Sequence, residues 1–209
     1  SKVLPDTLHT LEPGIPLQIG TFQVRAWPVD HSIPGAMAFI LEAGGVRWAA
    51  ECGMEDYNRL EQMGYNLWDG KQDGARWDVF RYGNKSHNII VINGERQRVF
   101  EHAHIVEARI NNASPHVKVD LSALYGKSAV REFVFSKRTA LTITDTLSDL
   151  APGDVVRWQM LTQAKASARG RVLTLTQDGR TLTLTVDADV VWKVTEARDL
   201  YQAWDNPQE

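Results

Sequence analysis

The sequence predicts an all-β protein, built as a large antiparallel β-sandwich. Apolar and polar residues alternate at period two through most of the chain, which is the pattern of half-buried strands. Turn residues interrupt these runs at intervals of roughly 8 to 12 residues, as in sandwich folds. Helical spacing is confined to one long loop excursion around residues 55–75, where Tyr57 and Leu60 predict a short helical turn.

The first half of the chain contains three strand regions. Residues 18–27 alternate regularly, and residues 37–41 and 46–50 are spaced as a hairpin across Gly44 and Gly45. Residues 89–92 form an uninterrupted apolar run, which is typical of a strand buried on both faces. Strands therefore dominate the predicted structure of this half.

The second half of the chain shows a clearer strand pattern. Its predicted strands are residues 131–136, 140–146, 155–162, 172–176 and 181–186. The last two strands form a hairpin in which leucine and valine face the core and threonine faces water. Asp178 and Gly179 supply the positive φ angles that its tight turn needs.

Composition and charge exclude several classes of protein. A hydrophobic fraction of 43% and a charged fraction of 23% are those of an ordinary globular chain. A net charge of -3 argues against a nucleic-acid partner, and no apolar run approaches the roughly 20 residues that cross a membrane. With Cys52 as its one cysteine, the chain cannot form an internal disulfide.

The domain organisation is predicted to be a single domain over residues 1–209. The chain starts on a proline-punctuated segment and stops at residues 206–209 without a closing strand. We therefore expect it to be a fragment of a longer protein.

The candidate chemistry centres on His87, which directly precedes the buried strand 89–92. Residues 71–98 hold six lysines or arginines against three acidic residues, so they would attract an anionic ligand if their charges converge. His102 and His104 would share one face of a strand, but the nearby sequence shows no third metal ligand. Glu51 closes a predicted inner strand, where a carboxylate needs a partner.

Several segments carry a more specific pattern. They are residues 44–61 (GGVRWAAECGMEDYNRLE), 67–73 (LWDGKQD), 76–82 (RWDVFRY), 86–88 (SHN), 91–94 (VING), 156–162 (VRWQMLT) and 205–207 (DNP). Together they closely resemble the C-terminal domain of bacterial heparinase II/III-like polysaccharide lyases. The resemblance implies a β-sandwich of the supersandwich type, preceded in the family by an α/α toroid that these residues do not contain. It also implies that the chain alone is inactive.

The resemblance implies β-elimination of acidic polysaccharides, with two catalytic histidines at His31 and His87. The family pattern His-x-His-x-Asp falls on residues 31–35, where Ile33 replaces the second histidine and Gly35 replaces the aspartate. Glu51 and His87 stand at two of the three positions that bind a metal in the family. A Zn²⁺ site is thus implied with an incomplete ligand set, because isoleucine cannot donate to a metal.

Substrate contacts are predicted for the polar segment around the second histidine. Arg76, Arg81 and Lys85 are candidates for binding carboxylate or sulfate groups, and Asn88 is a candidate beside His87. Trp68 and Trp77 could stack on sugar rings, but a tryptophan in a sandwich more often fills the core, and we expect core positions.

Two functions remain open from the sequence. The first is the C-terminal domain of a lyase that cleaves uronate-containing glycans such as heparan sulfate and other glycosaminoglycans, in partnership with a toroid domain. The alternative is a catalytically degenerate sandwich that binds carbohydrate or has a structural role. The resemblance also implies a bacterial protein that is periplasmic or secreted.

Overall fold

The computed structural model describes residues 17–19, 22–28, 37–52, 56–109, 114–136, 139–190 and 192–195. Within these ranges most of the regular secondary structure is β-strand, and all strand pairings are antiparallel. The strands are β1 Leu17–Ile19, β2 Phe22–Pro28, β3 Met37–Ala43, β4 Val46–Ala49, β5 Ile90–Ile92, β6 His104–Arg109, β7 His116–Asp120, β8 Ala129–Ser136, β9 Ala140–Leu147, β10 Val156–Trp158, β11 Lys165–Arg169, β12 Val172–Gln177 and β13 Arg180–Thr185. The prediction of an all-β fold is confirmed.

The described strands form three sheets and one separate pair. The first sheet has the order β1-β2-β3-β4, the second β6-β7-β8-β9 and the third β11-β12-β13, while β5 pairs with β10. Each larger sheet follows chain order. The β3–β4 turn uses Gly44 and Gly45 at φ angles of 61° and 78°, which glycine adopts without strain.

The β12–β13 hairpin shows how the sequence sets the register. Asp178 and Gly179 take φ angles of 52° and 69°, the conformation that the predicted tight turn requires. Leu173 and Leu175 are 7% and 0% exposed, whereas the intervening Thr174 is only half-buried. The alternation therefore presents one leucine face of the third sheet to the core.

The core joins the first sheet to both of the others. Val46 and Trp48 on β4 pack against Leu173 and Leu175 on β12, so the first and third sheets share one apolar cluster. The indole nitrogen of Trp48 donates to the carbonyl of Ala43 at 3.1 Å. In a second cluster, Phe135 of β8 packs with partly buried residues of β3 and with Leu141 of β9. These face-to-face contacts are those of stacked sheets in a sandwich.

The loop excursion contains the predicted helical turn, α1 Tyr57–Gln62. Asp56 caps its first turn, accepting from the amide of Asn58 at 2.9 Å. Leu60 and Leu67 are fully buried, at 0% exposure, in a small cluster of their own. Three 3₁₀ turns follow, at Ala75–Asp78, Phe80–Tyr82 and Asn84–Ser86, and they lead the chain to β5. A second short helix, α2 Ser122–Tyr125, lies between β7 and β8.

A polar turn fixes the β5–β10 pair. Asn93 lies in this turn at a φ of 55°. Its side-chain nitrogen donates a hydrogen bond to the carboxylate of Asp154 at 2.7 Å, and its side-chain oxygen accepts one from the main-chain amide of Val155 at 2.8 Å. Several hydrogen bonds hold the pKa of Asp154 below its ordinary value, and the bond from Asn93 has the largest effect. The start of β10 is therefore held beside the end of β5.

Some strand predictions differ from the structure. The predicted strand over 18–27 is divided into β1 and β2, and the predicted strand over 155–162 is regular only at Val156–Trp158. Strands β6, β7 and β11 were not predicted from the sequence. β6 and β11 are largely exposed and β7 is half-buried along its length, so none presents a clear apolar alternation. β6 begins at His104, so His102 precedes the strand instead of sharing its face.

Candidate active site

Glu51 and His87 form a hydrogen-bonded pair between the first sheet and β5. Glu51 lies just after β4 and His87 just before β5, and Nδ1 of the imidazole is 2.7 Å from Oε2 of the carboxylate. Because an ionised carboxylate only accepts hydrogen bonds, Nδ1 carries the proton in this pair. In the neutral imidazole the lone pair is then on Nε2. The His87 side chain is 41% exposed, so a ligand can reach the ring.

Asn88 fixes the other oxygen of the same carboxylate. Its amide nitrogen donates to Oε1 of Glu51 at 3.0 Å and to the carbonyl of Ala50 at 2.9 Å. Its amide oxygen accepts from the main-chain amide of Leu161 at 2.7 Å. Since Leu161 in turn accepts from the amide of Ala50 at 2.9 Å, Asn88 bridges the end of β4 to the segment after β10. Both Glu51 oxygens are thus held by adjacent residues of one segment.

Arg76 is enclosed by aromatic rings. The residue is 8% exposed, and Nη1 donates to the carbonyl of Leu67 at 2.8 Å. Its guanidinium lies 4.9 Å from the ring centroid of Tyr82, with Tyr57 and Trp77 at 5.9 and 5.6 Å. The predicted contact of Arg76 with substrate stays a prediction, and this setting favours a role in supporting the loop excursion.

Arg81 is also buried, with 5% of the residue exposed. Its Nη1 donates to the carbonyl of Cys52 at 2.8 Å, one residue beyond Glu51. Arg81 therefore holds the chain beside the carboxylate, and its predicted contact with substrate remains untested. Lys85 lies in the 3₁₀ turn Asn84–Ser86, and its side chain falls outside the part of the chain that the structure describes.

The segment that contains the other predicted catalytic histidine lies outside the described residues. His31, Ile33 and Gly35 all belong to it. The shared cleft predicted for His31 and His87 therefore stays a prediction.

Two of the residues predicted to bind a metal, Glu51 and His87, lie in contact with each other. In the described ranges, no group of three or more histidine, cysteine, aspartate or glutamate residues is placed to hold a metal ion. Glu51 and His87 are joined by a hydrogen bond through Nδ1, and a structural or catalytic zinc needs at least three protein ligands. These two residues do not by themselves fit a zinc centre, and a site here would need a ligand from beyond the described ranges.

Trp68 and Trp77, which lie between β4 and β5, differ in exposure. Trp68 is 73% exposed, so the expectation that it fills the core is wrong. Its indole nitrogen donates to Oε1 of Glu61 at 2.7 Å, and its ring meets Tyr57 edge-on at a centroid distance of 6.1 Å. Trp77 is half-buried and donates to the carbonyl of Lys71 at 2.8 Å. Stacking of either ring on a sugar stays a prediction.

Sequence reasoning missed the residues that hydrogen-bond to the main-chain carbonyls of His87 and Asn88. Arg131 on β8 donates from Nη1 to the carbonyl of Asn88 at 3.0 Å, and Gln159 donates from Nε2 to the carbonyl of His87 at 2.8 Å. A signal was available for Arg131, because it occupies the same strand face as the buried Ala129 and Phe135. A charged residue at a core position needs a buried partner.

Comparison with known families agrees with this architecture. The family model described as heparinase II/III-like, C-terminal, matches residues 21–204. The chain belongs to this family of C-terminal β domains. No curated protein matches it. Among the described residues, the structure has no helix that is long and apolar enough to cross a membrane.

Proposed function

We propose that this chain is the C-terminal domain of a polysaccharide lyase that cleaves uronate-containing glycans by β-elimination. The observation that carries the proposal is the Glu51–His87 pair, in which a fixed carboxylate orients a half-exposed imidazole. Membership of the heparinase II/III-like C-terminal family supports the reaction class. We include in the proposal an acidic glycan as substrate and a toroid domain as the partner that completes the cleft.

His87 has the geometry of a proton-transfer group. With Nδ1–H donated to Glu51, the lone pair on Nε2 is available to the substrate, and the carboxylate stabilises the imidazolium that forms when Nε2 takes a proton. This arrangement selects one tautomer and one ring orientation.

The proposed reaction breaks the C5–H and C4–O4 bonds of the uronate. Nε2 of His87 takes the C5 proton, the electron pair of that bond forms the C4=C5 double bond, and O4 leaves with a proton from an acid. We assign the acid to His31 or to the toroid domain. Neutralising the uronate carboxylate stabilises the carbanion-like transition state, and the resemblance assigns part of that task to the toroid.

The substrate is proposed to be acidic because the segment around His87 is basic. Residues 71–98 carry six lysines or arginines and three acidic residues. Arg76 and Arg81 are buried against the protein, so we propose that they position this segment and that exposed residues such as Lys71 and Arg98 face the glycan. Following the resemblance, the proposal also places the protein in the periplasm or outside a bacterial cell.

The function is tested by ultraviolet detection of the unsaturated uronate product. The longest natural polypeptide that contains this chain is incubated with heparan sulfate, chondroitin sulfate and alginate, beside its His87→Ala variant. We expect product from at least one glycan and a loss of about 10²- to 10⁴-fold in rate for the variant, the usual contribution of a proton-transfer group.

A folded polypeptide that yields no product from any of these glycans would contradict the lyase proposal. It would favour the alternative of a binding or structural module, for which the replacement of the family histidine by Ile33 is the supporting observation. Product that persists at the wild-type rate in His87→Ala would show a lyase whose base lies elsewhere.

A further inference from the structure

The main chain at His87 and Asn88 is held by side chains from other strands. The carbonyl of His87 accepts from Nε2 of Gln159 at 2.8 Å, and the carbonyl of Asn88 accepts from Nη1 of Arg131 at 3.0 Å. Neither carbonyl lies in β5, which begins two residues later at Ile90. The carbonyl of His87 also accepts from the main-chain amide of Ile89 at 3.0 Å. The two residues of the candidate active site thus lie outside the strand ladder, and side chains of other segments help to hold them in place.

The next two carbonyls are also occupied. The carbonyl of Ile89 accepts from the main-chain amide of Gln159 at 3.1 Å, and that of Ile90 accepts from the hydroxyl of Tyr125 at 2.6 Å. Burial raises the pKa of Tyr125, so its hydroxyl stays protonated and able to donate. Four consecutive carbonyls, from residue 87 to residue 90, thus accept hydrogen bonds from helix α2, strand β8 and the residue that follows β10.

Asp145 orients Arg131 for this contact. The two residues face each other across β8 and β9, and Nε and Nη2 of Arg131 donate to the two carboxylate oxygens at 2.7 and 2.9 Å. Their side chains are only 10% and 15% exposed. A bidentate pair leaves Nη1 pointing in a fixed direction, which is the direction of the Asn88 carbonyl. The desolvation cost of a buried ion pair is offset only when its geometry is good and its remaining donors are hydrogen-bonded, as Nη1 is here.

Gln159 holds the chain on the N-terminal side of Asn88, as Arg131 holds Asn88 itself. Its amide nitrogen donates to the carbonyl of His87 and to that of Asn84, so both of its protons are used on the segment that leads into the site. Gln159 follows directly after β10, the only strand that pairs with β5 in the described part of the chain. The ladder and this side chain therefore fix the same segment.

We propose that Arg131, aligned by Asp145, and Gln159 are positioning residues for His87 and Asn88. They act through the main chain, which sets where Nε2 of His87 points and whether the Asn88 amide reaches Glu51. The catalytic part of this proposal rests on the proposed function. Because displacing a reacting group by about 1 Å can cost on the order of 10²-fold in rate, loss of this support is expected to lower the rate of elimination.

Amide hydrogen exchange tests the positioning without any assay of activity. The variants are Arg131→Lys and Gln159→Met. Lysine keeps the charge opposite Asp145, but its single nitrogen lacks the planar fork that reaches both Asp145 oxygens and the Asn88 carbonyl. Methionine keeps the length of glutamine without its donors. The matched control is Arg171→Lys, which alters an exposed Arg171–Asp189 pair in another part of the fold.

The reporter is the amide of Leu161, which donates to the Asn88 side chain. We expect its exchange to rise about tenfold in each variant, as for the loss of one hydrogen bond, while amides of the β12–β13 ladder keep their wild-type rates. In the elimination assay the same variants should lose about tenfold or more in kcat with little change in KM. Arg171→Lys should leave both readouts unchanged.

Unchanged exchange at Leu161 in both variants would overturn the positioning role, and so would equal acceleration across the β12–β13 ladder, which indicates general destabilisation. If wild-type polypeptide shows no elimination, the proposed function fails, but the exchange result still decides whether these residues hold Asn88. Should Arg131→Lys fail to fold, Gln159→Met gives the same test at the neighbouring carbonyl.

Discussion

Replacing Glu51 with glutamine is expected to lower kcat for uronate elimination by about 10²- to 10⁴-fold. Asn88 donates to Oε1 of Glu51, so the oxygen of the new amide will face Asn88 and its nitrogen will face His87. An amide nitrogen donates and does not accept, and it therefore favours the imidazole tautomer with the proton on Nε2. That tautomer has no lone pair toward the substrate.

The measurement is the initial rate of ultraviolet-absorbing product across a range of pH and substrate concentration. KM should change little, because Glu51 is not assigned a contact with the glycan. Glu101→Gln removes a charge from an exposed position and serves as the matched control. A Glu51→Gln variant with wild-type kcat would show that the carboxylate does not orient the catalytic imidazole.

Truncation of Leu175 to alanine is expected to lower the free energy of unfolding by about 2 to 5 kcal/mol. Leu175 is 0% exposed on β12 and packs in the cluster that contains Val46 and Trp48 of β4. The substitution leaves a cavity between the first and third sheets, which can close only if the sheets shift together.

Urea denaturation of the 209-residue chain measures this effect. Thr176→Ala, at the exposed next position of β12, is the control and should change stability by less than about 0.5 kcal/mol. A loss for Leu175→Ala as small as that of the control would contradict the packing of the third sheet on the first.

The fold was largely predictable because several of its strands alternate in burial along their length, as β9 and β12 do. Period-two alternation located β8, β9, β12 and β13, and the dipeptide Asp178-Gly179 identified the tight turn between the last two. β6 escaped prediction because its first three residues are all exposed, so no apolar alternation marks it. Edge and surface strands are specified by their neighbours more than by their own sequence.

The candidate site was predictable only in part. The resemblance to the lyases identified Glu51 and His87, and the structure brings these two side chains into contact. The support from Arg131 and Gln159 joins residues more than 40 positions apart, at sequence separations of 43 and 72, and no local pattern encodes such contacts. Only the register between sheets defines them.

Residue type alone did not predict which side chains are exposed. Arg76 contributes to a basic segment, yet its guanidinium is enclosed by rings and bonded to a carbonyl, while Trp68 projects into solvent. The aromatic residues that enclose Arg76 were visible in the sequence as Tyr57, Trp77 and Tyr82. Composition gives the number of charges in a segment, whereas packing decides which of them a ligand can reach.

The central claim is that an acidic glycan is bound and cleaved at Nε2 of His87. It is tested most directly by nuclear magnetic resonance of the longest natural polypeptide, labelled with ¹⁵N-histidine and titrated with an uncleaved acidic oligosaccharide. His87→Gln identifies the signals of this one imidazole among all the histidine signals of the polypeptide. We predict a saturable shift of the Nε2 resonance of His87, with the Nδ1 proton retained on its bond to Glu51. Saturable glycan binding that leaves both His87 resonances unchanged would contradict the account.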